Sequence, residues 1–302
     1  MAKTPPVPAL ALFLTQALVL AQRETPTFEF QKRSTTIEYG VVPVGKHTLD
    51  ELEVGGTWRL GMNTASVWRS EVPIVAGERL LPPGEYRCHL RRIDAQRCAV
   101  VAAGSALAVG GGSEFEVEGT LDKAGKTAKK LDIAWQKGKA KSKTSQEASL
   151  QVRFGEHEWK GAMEVLGGET AKVGGYKLTV FAIPASFVEK RAKTPVPIAV
   201  LSKGKNKDME SWNLLLDENE ARLVPWMAAP TEQFGFGSIE APAAARSTSG
   251  KVEATALEAD EPVETLDLTS SGLAKGELAL ELVVGKEKLA ITVPEPPENP
   301  KK

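Results

Sequence analysis

Groups capable of chemistry are sparse in this 302-residue chain, and their spacing argues against most of what they could do. The three histidines, His47, His89 and His157, form neither H-E-x-x-H nor an i, i+4 pair, and the two cysteines do not make C-x-x-C. A three- or four-ligand metal centre would have to be assembled from distant carboxylates, so no metal site is assigned. No G-x-S-x-G elbow is present. Gly125-Lys126-Thr127 ends like a phosphate loop, but Gly119 stands one residue too far upstream and no helix follows. Gly110-Gly111-Gly112 lacks the strand-turn-helix setting of a dinucleotide site, and no cofactor is expected. Glu114, Glu116 and Glu118 share one face of an alternating strand. Acid-base work needs a carboxyl with a raised pKa in a dry cleft, whereas a solvated strand face explains three acids without it. No catalytic residue is assigned.

What remains is a binding chemistry. Trp58, Arg59 and Asn63 fall in W-R-L-G-M-N, followed by Leu80-Leu81-Pro82-Pro83-Gly84-Glu85-Tyr86. An arginine cannot shed its charge, so Arg59 must be paired or solvated. Two readings stay open. Arg59 and Asn63 bond backbone carbonyls at a strand crossing beneath Trp58, or they face a cleft where a guanidinium and an amide beside an indole suit a sugar or a carboxylate. The first is the expectation, with truncation of Arg59 costing stability. Cys88 and Cys98 sit on one hairpin around Asp94-Ala95-Gln96 and could form a cross-strand disulfide. A turn near Ala95 opposes this, because it pairs Cys88 with residue 101 or 102. Eight lysines lie between Lys123 and Lys143, with Lys137, Lys139, Lys141 and Lys143 alternating across an expected hairpin loop. They suit a polyanion contact or, preferably, a solvated loop that resists edge-to-edge association.

The elements that must carry these residues are strands. Trp58 to Thr64, Val67 to Ile74, Gly84 to Leu90, Cys98 to Ala102, Glu114 to Glu118, Leu131 to Trp135, Ser149 to Phe154 and Trp159 to Val165 read as short strands, after an exposed leader from Arg23 to Lys32 and a strand from Thr35 to Tyr39. Twenty-seven glycines and 19 prolines punctuate them, and no long window keeps a 3.6-residue period. The pattern then restarts. Gly174-Gly175-Tyr176 echoes Pro83-Gly84-Glu85-Tyr86, and Leu131-Asp132-Ile133, Ala148 to Val152 and Trp159 to Val165 are matched by Leu266-Asp267-Leu268, Leu278 to Leu282 and Leu289 to Val293. The reading is all-β: two tandem antiparallel β-sandwich domains over residues 22–166 and 167–294, each with its own core, with insertions in the second and a disordered tail over 295–302.

The N-terminal run from Val7 to Ala21 behind Lys3 has the form of a signal peptide cleaved after Ala21, with no membrane span afterwards. Formal net charge is −1, or −2 without residues 1–21 and their single lysine, which gives no general pull toward nucleic acid. The phrase Trp58-Arg59-Leu60-Gly61-Met62-Asn63-Thr64-Ala65-Ser66, with Gly45-Lys46 before it and Pro83-Gly84-Glu85-Tyr86 after it, resembles a bacterial exported family known as domain of unknown function 2911, over about residues 33–166. Thr64 stands where that family carries a glutamate. The resemblance implies an exported β-sandwich and no reaction. The functional expectation is a non-catalytic ligand- or partner-binding module of the bacterial envelope, periplasmic or secreted, acting on an envelope component or glycan. The alternative is an exported hydrolase with a carboxylate-based site.

Overall fold

The computed structural model describes residues 22–45, 48–62, 65–104, 114–173, 176–189, 196–203, 210–217, 220–225, 251–274 and 277–293. The expected signal peptide (1–21), His47, Asn63, Gly110 to Gly112, most of the expected insertions in the second half and the expected tail (295–302) lie outside the described residues. The chain is nearly all β, in two consecutive antiparallel sheets. The first takes β1 (Arg23–Glu24), β2 (Thr27–Phe30), β3 (Arg33–Gly40), β4 (Thr57–Arg59), β5 (Ser66–Ser70), β6 (Ile74–Ala76), β7 (Arg79–Leu81), β8 (Gly84–Arg92), β9 (Arg97–Ala103), β10 (Glu114–Ser142) and β11 (Ser145–Leu166). The second takes β12 (Gly168–Val173), β13 (Tyr176–Phe181), β14 (Val196–Lys203), β15 (Glu210–Asp217), β16 (Glu220–Pro225), β17 (Lys251–Ala274) and β18 (Glu277–Val293), with the short helix α1 (Ala185–Glu189) after β13. Among the described residues no helix is long and apolar enough to cross a membrane.

Alternation decides which side chains go inside. Ile37 and Tyr39 on β3, Ser66, Trp68 and Ser70 on β5, and Phe115 and Val117 on β10 are buried, while their neighbours are partly exposed. Trp68 is the hub: it meets Phe115 and Trp135 edge-on at 6.2 and 5.8 Å, and Phe28 packs on Trp135 at 5.9 Å. Its indole nitrogen donates to Thr35 Oγ1 at 2.8 Å, so nothing polar on it is left bare. The sheet is wrapped around this hub by the residues after β3. Leu131 N donates to Val42 O at 2.7 Å and Val44 N to Lys129 O at 3.0 Å, which ties the far side of β3 to the middle of β10.

Two strands are interrupted where the sequence reads otherwise. Residues 23–32 are not a leader: β1 and β2 keep one register against β3 across Thr25-Pro26, and β2 turns into β3 through Gln31 and Lys32, both at positive φ (51° and 60°). That is a two-residue turn of the twist that suits hairpins, built without the usual glycine or asparagine. Likewise β4 and β5 pair with the same edge of β8, Arg59 opposite His89 and Ser66 opposite Cys88, so the chain starts an excursion from a single strand line after Arg59 and is back on it at Ser66. Gly61 (φ +133°) makes the excursion possible by crossing Gly40 backbone to backbone, with Met62 N donating to Gly40 O at 3.1 Å.

The second sheet repeats the order of the first. β12-β13-β14-β15-β16-β17-β18 is a meander, and β2-β3-β5-β8-β9-β10-β11 is the same meander, to which β1, β4 and the β6-β7 hairpin are added. The long hairpins carry register breaks at matching places, between Lys123/Ala128 and Ala128/Asp132 in one and Glu258/Val263 and Val263/Asp267 in the other. The Leu131 to Ile133 and Leu266 to Leu268 segments therefore stand at equivalent positions, whereas Tyr176 and Tyr86 do not: Tyr176 is on the second strand of its meander and Tyr86 on the fourth. The buried apolar residues form one contiguous cluster from Phe28 to Leu280 instead of two separate cores. Gln31, whose Nε2 donates to Lys143 O within the first half (2.5 Å), accepts at Oε1 from Gly168 N across the junction (2.9 Å), and Arg33 donates across it to Gly168 O (3.1 Å) and to Thr170.

The glycine crossing makes a testable claim on stability. A Cβ on Gly61 would stand 2.9 Å from Gly40 N in a backbone conformation closed to other residues, and one on Gly40 would collide with Met62 O. Gly61→Ala should cost about 1–3 kcal/mol and Gly40→Ala at least as much. Gly45→Ala, where the added carbon meets nothing within 4 Å, should stay within about 0.5 kcal/mol. Urea unfolding of the three variants is the measurement; equal midpoints would mean that the crossing is not a constraint.

Candidate functional site

Strand β8 divides its side chains between two worlds. Tyr86, Cys88 and Leu90 belong to the core, while Arg87, His89 and Arg91 project from the opposite face. Residues directly opposite in an antiparallel ladder share a face. Beside β8 on one side stand Thr57, Arg59, Val67 and Arg69, and on the other Ala99, Val101 and Ala103 of β9, then Glu114, Glu116 and Glu118 of β10. The result is a sheet face with an apolar strip of alanine and valine, flanked by cations on β4 and β8 and by acids on β10. Arg87 and His89 are only 3% exposed.

Most of the charges on this face are matched. Arg91 bridges to Glu114 at 2.9 Å and Glu116 at 2.5 Å over the small β9 residues, and Arg79 reaches Glu116 at 3.2 Å. Arg69 joins Glu38 (2.7 Å) to Glu85 (3.2 Å), and Arg97 joins Asp94 (2.7 Å) to Glu118 (3.4 Å). Burial works against ionised Glu116, but the hydrogen bond and charge of Arg91 prevail and hold its carboxyl below the ordinary range. Arg69 does the same for Glu38. His89 differs. Desolvation pushes its pKa down, against the pull of Glu114, and its Nδ1 is buried without a hydrogen-bond partner.

Trp58 and Arg59 part company across their strand. Trp58 faces inward, half-buried, with its ring 5.1 Å from Phe154. Arg59, also half-buried, is on the outer face directly opposite His89, where the strand line breaks off. The proline-rich signature is structural: Tyr86 Oη donates to Pro82 O (2.6 Å), and Pro83 O accepts from Asn213 Nδ2 of the second sheet (2.6 Å). The disulfide considered for Cys88 and Cys98 is not made. Both thiols are free and buried, and the ladder sets Cys88 against Ala102 and Cys98 against Arg92, roughly 13 Å of strand apart. Burial pushes the Cys88 thiol up to about 12 and raises that of Cys98, so neither is a ready nucleophile. The lysines from 137 to 141 lie on β10 itself and not in a loop; the turn is Lys143-Thr144. Among the described residues no group of three or more His, Cys, Asp or Glu could hold a metal ion.

The residue that sequence reasoning passed over is His89. Arg87-Cys88-His89-Leu90-Arg91 alternates polar with apolar, and that period places three cationic types on one face. The signal was legible, but nothing in it distinguishes a buried face from a wet one. Compared with family models, with characterised proteins and with solved structures, the chain matches none.

The lowered pKa of His89 fixes a sign. A histidine that is harder to protonate when folded contributes stability fully above its unfolded pKa, about 6.5, and loses it as pH falls through that value. Stability should therefore decline from pH 7.5 to 5.5 with a slope of at most one proton. His89→Gln should flatten that part of the profile and leave the later loss below about pH 4.5, where Glu38 and Glu116 protonate. Urea midpoints across this range measure it, and an unchanged profile in the variant would remove His89 from the account.

Proposed function

We propose that the chain is an exported, non-catalytic β-sandwich module of the bacterial cell envelope that binds a carboxylate- or hydroxyl-bearing ligand, such as an envelope glycan, over the Arg59-His89 face of its first sheet. The observation that carries this reading is the buried Nδ1 of His89, unpartnered beside Arg59 on a face whose other charges are largely matched. A buried polar atom without a partner costs about 1–3 kcal/mol, a penalty that a ligand hydroxyl or carboxyl would offset. The equivalent position on the second sheet is Leu215, and the Asn213 beside it is occupied by Pro83 of the first sheet.

A hydrolase built on carboxylates has less support. Every described carboxyl whose pKa is displaced, Glu24, Glu38, Asp94, Glu116 and Glu164, is displaced downward by cationic or hydrogen-bonding neighbours, the opposite of what a general acid requires. The resemblance to an exported family and the signal-like leader favour the envelope as the place of action.

The test is a screen of the full chain against glycans and cell-wall fragments, with Arg59→Ala and His89→Gln as comparisons. Arg59 is half-exposed at the rim, so its truncation should shift stability by no more than about 1 kcal/mol. Binding should weaken about tenfold or more, the equivalent of about 1.4 kcal/mol. A hit that both variants bind as well as the parent would move the site elsewhere, and turnover of any fragment would favour the hydrolase.

A further inference from the structure

The bulged middles of the two long hairpins occupy equivalent positions, and their charges are opposite. In the first, the ladder runs Lys123 opposite His157, then Ala128 opposite Gly155, then Asp132 opposite Arg153; in the second, Glu258 opposite Glu287, Val263 opposite Gly285, Asp267 opposite Val283. This register aligns Lys123, Lys126 and Lys129 with Glu258, Glu261 and Glu264. On the returning strand it aligns Glu156 and Glu158 with Lys286 and Lys288. Five charged positions invert together, while Leu131, Asp132 and Gly155 meet Leu266, Asp267 and Gly285 unchanged in type.

Pairing within each hairpin would also make charges invert in concert, and in the second hairpin Lys288 does pair with Glu281 at 3.1 Å, but the first hairpin does not use it. Lys123, Lys126, Lys129 and Glu156 are exposed and Glu158 is half-buried, and none of the five has an ion-pair partner among the described residues. The neighbouring Lys130 turns away to Glu24 at 2.6 Å. By residue type and register the two hairpins are charge-complementary with β10 set antiparallel to β17: lysine positions fall against glutamate positions in one row and glutamate against lysine positions in the other. We propose that these hairpins are complementary docking surfaces, the first-domain bulge of one copy of this chain binding the second-domain bulge of another, head to tail. Such an interface joins two different surfaces, so it generates a closed ring of two or more copies, or an open filament. Between exposed charges the attraction is screened by salt and sets partner choice more than affinity.

Sedimentation velocity of the full chain at about 0.1 M and about 1 M salt reads the proposal directly, since the screening length falls from about 10 Å to about 3 Å. The parent should sediment as concentration-dependent oligomers in the first and as monomer in the second. Lys126→Glu with Lys129→Glu should be monomeric in both, as should Glu261→Lys with Glu264→Lys. An equimolar mixture of these two variants, and the chain carrying all four changes, should assemble again at low salt. Circular dichroism checks that each variant keeps its sheet; where one does not, Lys126→Gln with Lys129→Gln replaces it and must weaken association in the same direction. A parent that stays monomeric at low salt, charge-reversed variants that assemble as the parent does, or a mixture that fails to assemble would each overturn the proposal.

Discussion

One strand has to serve two layers, and the rest of the first domain follows from how it does so. β10 runs for 29 residues. Its first part pairs with β9 through Glu114 to Thr120, and its later part pairs with β11 and closes on Val42 to Val44. A strand of that length cannot remain flat against one sheet. The break in register between Lys123 and Asp132 lets it change direction, so that Phe115 before the break and Trp135 after it both reach Trp68. The core, the outer charged face and the lysine-bearing bulge are thus three results of one bend.

The outer face shows what such a bend makes available. Because β8 and β9 lie in the middle of the sheet, their outward residues are shielded on both flanks, and Arg87, His89 and Val101 are buried although they point away from the core. Ion pairs at the rim of such a face contribute little to stability individually. Their effect is to fix geometry: Arg91 spans β9 only because Ala99, Val101 and Ala103 are small or compact. On the second sheet the corresponding strand carries Asn213 and Leu215, and the Pro83 turn of the first domain comes down on Asn213. One structural position has been put to two uses, a contact with the neighbouring sheet in one copy and an outward polar face in the other.

The strands were legible in the sequence because half-buried alternation has a period of two, and the hairpin at Asp94 to Gln96 even fixed the cysteine register. The turn at Gln31-Lys32 was not, because its residues carry no glycine or asparagine and its positive φ values are held by bonds from Gln31 to Lys143 and Gly168, far away in sequence. Trp58 to Thr64 read as one strand because the chain leaves after Arg59 and returns by Ser66 to the same strand line. The lysines of β10 read as a loop because a strand exposed on both faces has no apolar period to reveal it. Tyr176 and Tyr86 were matched by local spelling, which carries no information on which strand of a meander a tyrosine occupies.

Comparison of the two meanders separates what a fold demands from what it merely permits. Trp159, Val152 and Ile133 of the core have Leu289, Leu282 and Leu268 at the equivalent register positions, and exchange among apolar groups of workable volume is what a packed fold tolerates. Glycine recurs at Gly155 and Gly285, beside the register break; at Gly155 φ is +63°, where a side chain is strained. Charge at an exposed bulge is under neither demand, so folding alone gives no reason for five positions to change sign together. A constraint outside the fold supplies one, and with these groups unpaired in the first hairpin the docking of one copy on another proposed above is such a constraint.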